Sequence, residues 1–179
     1  MRHHGRVPET AWLSTPRLWL VPLDKALIDA RLASDEMTVT LNGPAGPLLV
    51  HANADWPGDL LGVFPHWTQA LNHPRDLAEG TWAWLECATA ELVGWGGLVG
   101  PADDLELEIG YGTNRRRQGQ GLATEAMAVA VARLRRAHPT AAITARTAVG
   151  NLPSHRVLEH LGFTCTGREA EGEQLRWRL

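Results

Sequence analysis

The sequence has few of the residues that mark several common classes of protein. Two cysteines, Cys87 and Cys165, occur among 179 residues, and their number and spacing exclude a disulfide framework and a cysteine metal site. We expect both to be small buried residues. No apolar run approaches the roughly 18 residues that a membrane helix needs, and the N-terminal residues lack the apolar core of a signal peptide. We therefore expect a cytoplasmic protein with no metal site and no membrane partner.

Charge and length restrict the remaining classes. The net charge is −3, and the basic residues cluster locally without forming a broad stripe, so no nucleic-acid partner is expected. With 44% apolar and 21% charged residues, the composition is that of an ordinary globular chain. Its length predicts a single domain spanning residues 1–179, with residues 1–14 as a loose N-terminal arm.

The central stretch, residues 105–125, predicts a strand that leads through a glycine-rich turn into a helix. Residues 105–113 alternate between apolar and polar positions, which is the period of a half-buried strand. From Gly119 onward, apolar residues recur every four positions, which indicates a helix to about Arg136. His138 and Pro139 follow and should end it.

The turn between that strand and that helix is unusually basic. Arg115, Arg116 and Arg117 stand at the helix N-terminus, which is already positive because of its free amides and dipole. A bound anion would remove this conflict, and Gly119 and Gly121 would let it approach the backbone. A phosphate or pyrophosphate site is therefore predicted. The alternative is a solvated basic turn that binds nothing.

The other elements complete a mixed α/β pattern. A first strand (16–22) leads into a helix that Asp24 caps and that runs to about residue 33, and residues 34–53 are expected to be a loop. A helical region at 55–71, broken at Pro65, precedes a hairpin of strands at 81–87 and 91–99. Glycines in the second of these strands indicate a close approach by another group. After the central helix we expect a strand at 141–148, a short helix capped by Asn151 or Leu152, and a closing hairpin at 163–168 and 173–179.

This order of elements, with this centre, resembles the GNAT superfamily of acetyl-CoA-dependent N-acetyltransferases. The family's pyrophosphate motif is Q/R-x-x-G-x-G/A, which Gln118–Ala123 fits; the register Arg116–Gly121 also fits but aligns less well with the flanking EIGY and ATEA segments. A second family segment is Asn151-x-x-Ser154, followed by Val157-Leu158-Glu159-x-Leu161-Gly162-Phe163. With Thr15–Leu18 opening the first strand, the chain is most similar to the branch of the ribosomal-protein N-terminal acetyltransferases. The resemblance covers about residues 15–33 and 81–179, and two spaced motifs in order are specific.

The resemblance implies a mixed, mostly antiparallel sheet of about seven strands flanked by helices, with a splayed central strand pair. It implies acetyl-CoA as cofactor, with the main chain at Tyr111 and Thr113 binding the pantetheine arm and one N–H polarising the thioester carbonyl. Asn151 and Ser154 line the same arm. The remaining cofactor-binding residues that it implies are Arg116, Arg117, Gln118, Gly119, Gln120, Gly121, Leu122 and Ala123.

For catalysis, the resemblance implies a base that takes a proton from the acceptor amine and a donor beside the departing thiolate. Glu108 is the first choice for the base and Glu86 the second, with His51, His66 and His73 as further candidates. We expect apolar strands and tryptophans around Glu108, surroundings that suit a carboxylate to base work near neutral pH. The alternative is that the glutamates are solvated or pair with arginines. Many family members have a tyrosine seven residues after the asparagine, where this chain has Leu158. Ser154 is the substitute that the resemblance offers.

Residues 34–80 correspond to the region where family members bind the acceptor, here expected to be a primary amine of a small molecule or a protein N-terminus. Tryptophans of this region and of the nearby strands either form an apolar wall for the acceptor or belong to the core or a homodimer contact. Two other functions stay open: a GNAT-fold protein that binds acyl-CoA without turnover, and a non-enzymatic interaction domain.

Overall fold

A computed structural model describes residues 12–70, 80–99, 105–169 and 172–179. The strands are β1 (Leu13–Ser14), β2 (Leu18–Pro22), β3 (Met37–Gly43), β4 (Gly46–Ala52), β5 (Thr81–Glu86), β6 (Leu92–Leu98), β7 (Glu106–Thr113), β8 (Ala142–Ala148), β9 (Thr164–Arg168) and β10 (Gln174–Arg178). The α-helices are α1 (Lys25–Ala33), α2 (Phe64–Ala70), α3 (Leu122–Ala137) and α4 (Leu152–His160), and 3-10 helices cover Gly58–Val63 and Arg115–Arg117.

Within the described residues, one large sheet has the strand order β1-β2-β5-β6-β7-β8-β10-β9. All neighbouring strands in it are antiparallel except β7 and β8, which are parallel. A parallel pair needs a long crossover, and α3 supplies it. The expected fold class, a mixed and mostly antiparallel α/β sheet flanked by helices, is confirmed.

Helices cover both faces of the sheet and bury two apolar clusters. On one face, α3 and α4 contribute Met127 and Leu158 to a cluster that also contains Leu107 and Ile109 of β7. On the other face, α1, α2 and the separate β3–β4 hairpin pack over β2, β5 and β6. Strands β5 and β6 are covered on both faces, so nearly every residue of theirs is buried.

The glycines of β6 make room for core groups. A Cβ on Gly96 would lie 2.4 Å from the Met127 sulfur and 2.7 Å from the Trp84 ring, and one on Gly97 would lie 2.0 Å from the Gly80 carbonyl oxygen. The expected close approach at this strand therefore comes from the protein's own core and backbone.

The helix boundaries follow the sequence signals. The Asp24 side chain accepts a hydrogen bond from the Leu27 N–H (2.9 Å) at the start of α1, and Asn151 caps α4 in the same way. Helix α3 ends at Ala137, directly before the expected stop. Gly162 follows α4 with φ +87°, the left-handed conformation that glycine adopts readily.

Three expectations are wrong. Residues 34–53 are not a loop, because β3 and β4 pair over their whole length from Met37–Ala52 to Gly43–Gly46. The glycine and proline signals mark the tight turn of that hairpin, and alternation along β3 was the missed evidence. Cys87 and Cys165 are exposed. Leu13 and Ser14, assigned to a loose arm, pair with β2.

Candidate functional site

The centre of the sheet opens at the C-terminal half of β7. Strand β7 stays paired with β6 as far as Thr113. Its pairing with β8 covers Glu106 to Ile109 and ends at the Ile109–Ala145 pair. Strand β8 itself continues to Ala148 against β10. The two parallel strands therefore separate after Ile109, which leaves a gap between their last residues.

The alternating direction of the hydrogen bonds along β7 shows which of its peptide groups face this gap. The Val99 N–H donates to the Glu108 carbonyl (3.0 Å), and the Asn114 N–H donates to the Val93 carbonyl (2.9 Å). Because successive residues of a strand direct their peptide groups to opposite neighbours, even-numbered residues face β6 and odd-numbered residues face β8. Tyr111 and Thr113 lie beyond the last β8 pair, so along the described chain no strand partner meets their peptide groups on that side.

The turn after β7 leads from the gap to the N-terminus of α3. Gly119 and Gly121 have φ of +74° and +76°, values that L side chains rarely adopt. No atom lies within 4 Å of a Cβ built on Gly119, and the nearest to one on Gly121 is an Arg17 nitrogen at 3.6 Å. Helix α3 begins at Leu122 with 16 residues, so its positive end and the open backbone of residues 118–123 can receive an anion.

Two of the three arginines in the turn have carboxylate partners. Arg117 forms an ion pair with Glu86, and the Arg116 Nε lies 3.9 Å from Asp55 while that arginine side chain stays 85% exposed. The charge conflict read from the sequence is therefore partly relieved within the protein. Glu86, the second candidate for a base, is occupied by Arg117 and also accepts a hydrogen bond from Thr89 (2.7 Å).

A clamp that the sequence reasoning missed holds the start of α3. Arg17 donates to the Gln120 carbonyl (3.0 Å) and from its Nε to Glu125 (2.6 Å), and Thr15 donates to the same carboxylate (2.5 Å). Burial acts to raise the pKa of Glu125, but hydrogen bonds from Thr15 and Arg17 outweigh it and lower that pKa. Thr15–Leu18 and the ATEA segment both match the family, but no local signal links two segments 108 positions apart.

The first turn of α4 faces the same gap. Asn151 accepts a hydrogen bond from the Ser154 N–H (3.2 Å), so its amide oxygen is used as a helix cap. The Tyr111 hydroxyl donates to the Ser154 carbonyl (2.9 Å) and so bridges β7 to α4. Burial raises the pKa of Tyr111 to about 12. Leu158 is fully buried in the core.

Glu108 lies in a polar cluster on the opposite sheet face. Arg146 donates to its two oxygens at 2.9 and 2.5 Å, which raises the pKa of Arg146, and Glu169 lies 3.8 Å from the same guanidinium. Glu106 is held in the same way by Arg176, at 2.6 and 2.8 Å. The expected apolar surroundings of Glu108 are therefore wrong, and pairing with arginine is what the structure shows.

Tryptophans near the gap belong to the core. Trp95 lies over β7, where a Cβ on Gly112 would be 2.8 Å from its Nε1 and one on Gly110 would be 3.3 Å from its ring. Trp67 meets it edge-on with 6.5 Å between ring centroids. These rings and Trp56, Trp82 and Trp84 are all at least 92% buried, so the core interpretation is confirmed for them.

The two candidate histidines that the structure describes lie on β4 and α2, away from β7 and β8. His51 lies on β4 with its Nδ1 3.0 Å from the Thr38 hydroxyl, and His66 is exposed on α2. His73 lies outside the described residues. Across the residues that the structure describes, no group of three His, Cys, Asp or Glu side chains could hold a metal ion. The described helices are all too short or too polar to cross a membrane.

Comparisons with known proteins agree with this fold. A family model described as an acetyltransferase (GNAT) domain matches residues 17–164. A putative GNAT-family acetyltransferase from Bordetella pertussis is 24% identical, with a TM-score of 0.64 over 94% of this chain and 98% of that one. A spermidine/spermine N-acetyltransferase from Vibrio cholerae is 16% identical, with a TM-score of 0.62 over 92% of this chain and 94% of that one.

A ribosomal-protein-S5-alanine acetyltransferase from Vibrio fischeri is also similar. It is 12% identical, with a TM-score of 0.61 over 94% of this chain and 96% of that one. At these identities the structural comparisons show the fold alone. No curated protein matches the chain significantly.

Proposed function

Because the chain belongs to the GNAT acetyltransferase family, we propose that it transfers an acetyl group from acetyl-CoA to a primary amine by direct attack. The observation that supports this most strongly is the free edge of β7 beside the parted strand β8, continuous with the two left-handed glycines that open α3. An extended chain can bond to that edge while its phosphates lie on the helix amides.

The donor set suits each part of acetyl-CoA. In our proposal the peptide groups of Tyr111 and Thr113 bind the pantetheine arm, and an N–H of this edge polarises the thioester carbonyl. The pyrophosphate lies on the amides of residues 118–123. Arg116, with its exposed side chain, is free to swing toward a phosphate. Arg117 is ion-paired with Glu86, so we assign it a long-range electrostatic contribution to the phosphate site and no direct contact.

The acceptor must lose a proton before its nitrogen can attack. We propose Glu108 as the base, since it stands on β7 immediately before the gap. Arg146 pairs with this carboxylate through two hydrogen bonds, so the ammonium must take the place of its guanidinium. Both side chains are partly exposed, at 29% and 47%, and exposed ion pairs contribute only about 0–1 kcal/mol. The approaching ammonium can therefore replace the guanidinium at little cost.

Ser154 is the proposed helix-side hydroxyl near the leaving sulfur. It lies in the first turn of α4, next to Asn151, whose amide oxygen it engages through its own N–H. Its carbonyl is bonded to Tyr111, so this turn is tied to the strand that binds the pantetheine arm. A serine hydroxyl is a weak acid, and hydrogen bonding to the sulfur is the role that we assign to it.

The acceptor that we propose is a cationic primary amine, on a small molecule or at a protein N-terminus. The support is the group of carboxylates around the proposed base, Glu106, Glu108 and Glu169, together with the net charge of −3. Similar folds serve a spermidine/spermine acetyltransferase and a ribosomal-protein acetyltransferase, so both acceptor sizes are compatible with this architecture. We also propose a cytoplasmic location, which the two exposed free thiols support.

A second candidate is a protein that binds acyl-CoA without turnover. The buried Leu158, in the place of the tyrosine common in the family, and the ion pair on Glu108 favour it. An interaction domain without any coenzyme is the third candidate.

Acetyl transfer to a panel of amines tests the proposed function. The panel includes a polyamine, an aromatic amine and short peptides with free N-termini, and the assay follows thiol release from acetyl-CoA together with the mass of the product. We expect one class to gain the mass of one acetyl group, less that of the hydrogen it replaces, in proportion to the thiol released. Tight binding of acetyl-CoA with no product from any class would favour the second candidate, and no binding at all would favour the third.

A further inference from the structure

Tyr111 is the one tyrosine in the sequence, and its hydroxyl lies between β7 and the first turn of α4. Its backbone belongs to the free edge of β7, two residues beyond the last pair with β8. Its side chain crosses to the first turn of α4 and reaches the Ser154 carbonyl (2.9 Å). The phenol therefore spans the space between the two elements that border the proposed pantetheine site.

The bond to Ser154 is not one that the helix requires. A carbonyl within α4 accepts the N–H four residues later, which here belongs to Leu158. A carbonyl oxygen has two lone pairs, so the phenol occupies the second. The hydroxyl can leave this acceptor for another without unpairing the helix backbone.

Helix α4 itself offers no phenol to the sulfur. Leu158 points into the core with no exposed surface, so the hydroxyl on this turn is that of Ser154. A hydroxyl on β7 could therefore donate a hydrogen bond to the leaving sulfur in place of a phenol on α4.

We propose that the Tyr111 hydroxyl, reaching from β7 across the gap to α4, turns from the Ser154 carbonyl to the departing sulfur and donates a hydrogen bond to it. This inference rests on the proposed function. When the carbon–sulfur bond breaks, its electron pair stays on sulfur, and the amine nitrogen takes the carbon's fourth bond. The proton lost by the amine goes to the base, and solvent later protonates the thiolate.

The acidity of the phenol decides between a hydrogen bond and a proton transfer. Burial raises the pKa of Tyr111 to about 12, whereas a free thiol has a pKa of about 8.5. Full proton transfer from the phenol to the thiolate is therefore unfavourable, because the pKa of the phenol is several units above that of the thiol. Tyr111 acts as a neutral donor, and hydrogen bonds to a charged acceptor are the strong ones.

The test uses coenzyme A itself and needs no acceptor. The thiol of bound coenzyme A is titrated by its ultraviolet thiolate absorbance in the wild type, Tyr111→Phe and Ser154→Ala. We expect Tyr111→Phe to raise the pKa of the bound thiol by about 1–2 units, a 10- to 100-fold loss of thiolate preference. The affinity for coenzyme A should change by less than about threefold, since the main-chain contacts remain.

His155 is the titratable group on the same turn of α4. Its Nε2 lies 3.1 Å from the Ala148 carbonyl and its ring packs against Trp177. Both variants keep His155, so its charge cancels in the comparison. Ser154→Ala measures how much the Ser154 hydroxyl contributes to the pKa of the bound thiol. It should change that pKa less than Tyr111→Phe does.

Four results would overturn the inference. An unchanged thiol pKa in Tyr111→Phe would show that the phenol does not meet the sulfur, and a shift confined to Ser154→Ala would assign the role to the serine. If Tyr111→Phe lost affinity for coenzyme A while the pKa of the bound thiol stayed unchanged, the tyrosine would have only a structural role. Wild-type protein that does not bind coenzyme A would overturn the proposed function as well, and so is distinguishable from the other three.

Discussion

Glu108→Gln should lower kcat for acetyl transfer by about 10²- to 10⁴-fold, the range that general base catalysis contributes. Glutamine keeps the size of the side chain and a hydrogen bond to Arg146 but cannot accept the proton of the ammonium. The KM for acetyl-CoA should stay close to that of the wild type, because Glu108 lies on the opposite sheet face from Ser154 and α3. Steady-state kinetics with an amine that the wild type acetylates measures both quantities.

Glu106→Gln is the matched control for this substitution. Glu106 lies on the same face of the same strand and is also held by an arginine through two hydrogen bonds, at 2.6 and 2.8 Å. It stands two residues further from the gap, so its loss should change kcat by less than about tenfold, the effect of a neighbouring charge. Equal rates for the two variants would show that Glu108 serves only its ion pair, and Glu108 would then not be the base.

Replacing Gly121 with valine should abolish coenzyme binding while the protein stays folded. In the wild type, acetyl-CoA at a hundred times its dissociation constant adds about 2.7 kcal/mol, a rise in Tm of roughly 5–10 °C for a chain of this size. In Gly121→Val the branched side chain fills the space over the turn, where the nearest protein atom to the new Cβ is an Arg17 nitrogen at 3.6 Å. The rise in Tm at the same acetyl-CoA concentration should disappear.

The control for this substitution is Gly172→Val. Gly172 has φ +76°, the same as Gly121, and no atom lies within 4 Å of its built Cβ. Both variants therefore carry a similar backbone strain of about 1–2 kcal/mol, and both should melt a few degrees below the wild type. Gly172→Val should keep the full rise with acetyl-CoA. A full rise in Gly121→Val would place the coenzyme away from this turn.

The sequence predicted the elements whose signals are local. Strand β7 and helix α3 were found from their periods, and Asp24, Asn151 and Gly162 marked helix ends because capping depends on neighbours within four residues. The glycine turn before α3 was predicted in the same way, since its glycines and the following helix are contiguous. The signals of the β3–β4 hairpin are equally local, but its glycines and prolines also predict a loop, and the alternation along β3 is short.

Contacts between distant residues could not be read from the sequence. Arg146 meets Glu108 across 38 positions and Arg17 meets Glu125 across 108, and both follow from strand order and register. The same applies to Trp95, which covers Gly110 and Gly112 because β6 pairs with β7. The surroundings of Glu108 were misjudged for this reason, because its arginine partner lies on another strand.

Amide hydrogen exchange with and without coenzyme A tests most directly whether the coenzyme binds in the gap between β7 and β8. Coenzyme A should slow exchange at Tyr111, Thr113 and residues 118–123 more than at any other described residue. The apolar cavity of about 270 Å³ between Trp12, Trp19 and the β3–β4 turn should show no such effect. Added protection centred on that cavity, or none at β7 and the start of α3, would show that coenzyme A does not bind in the gap between β7 and β8.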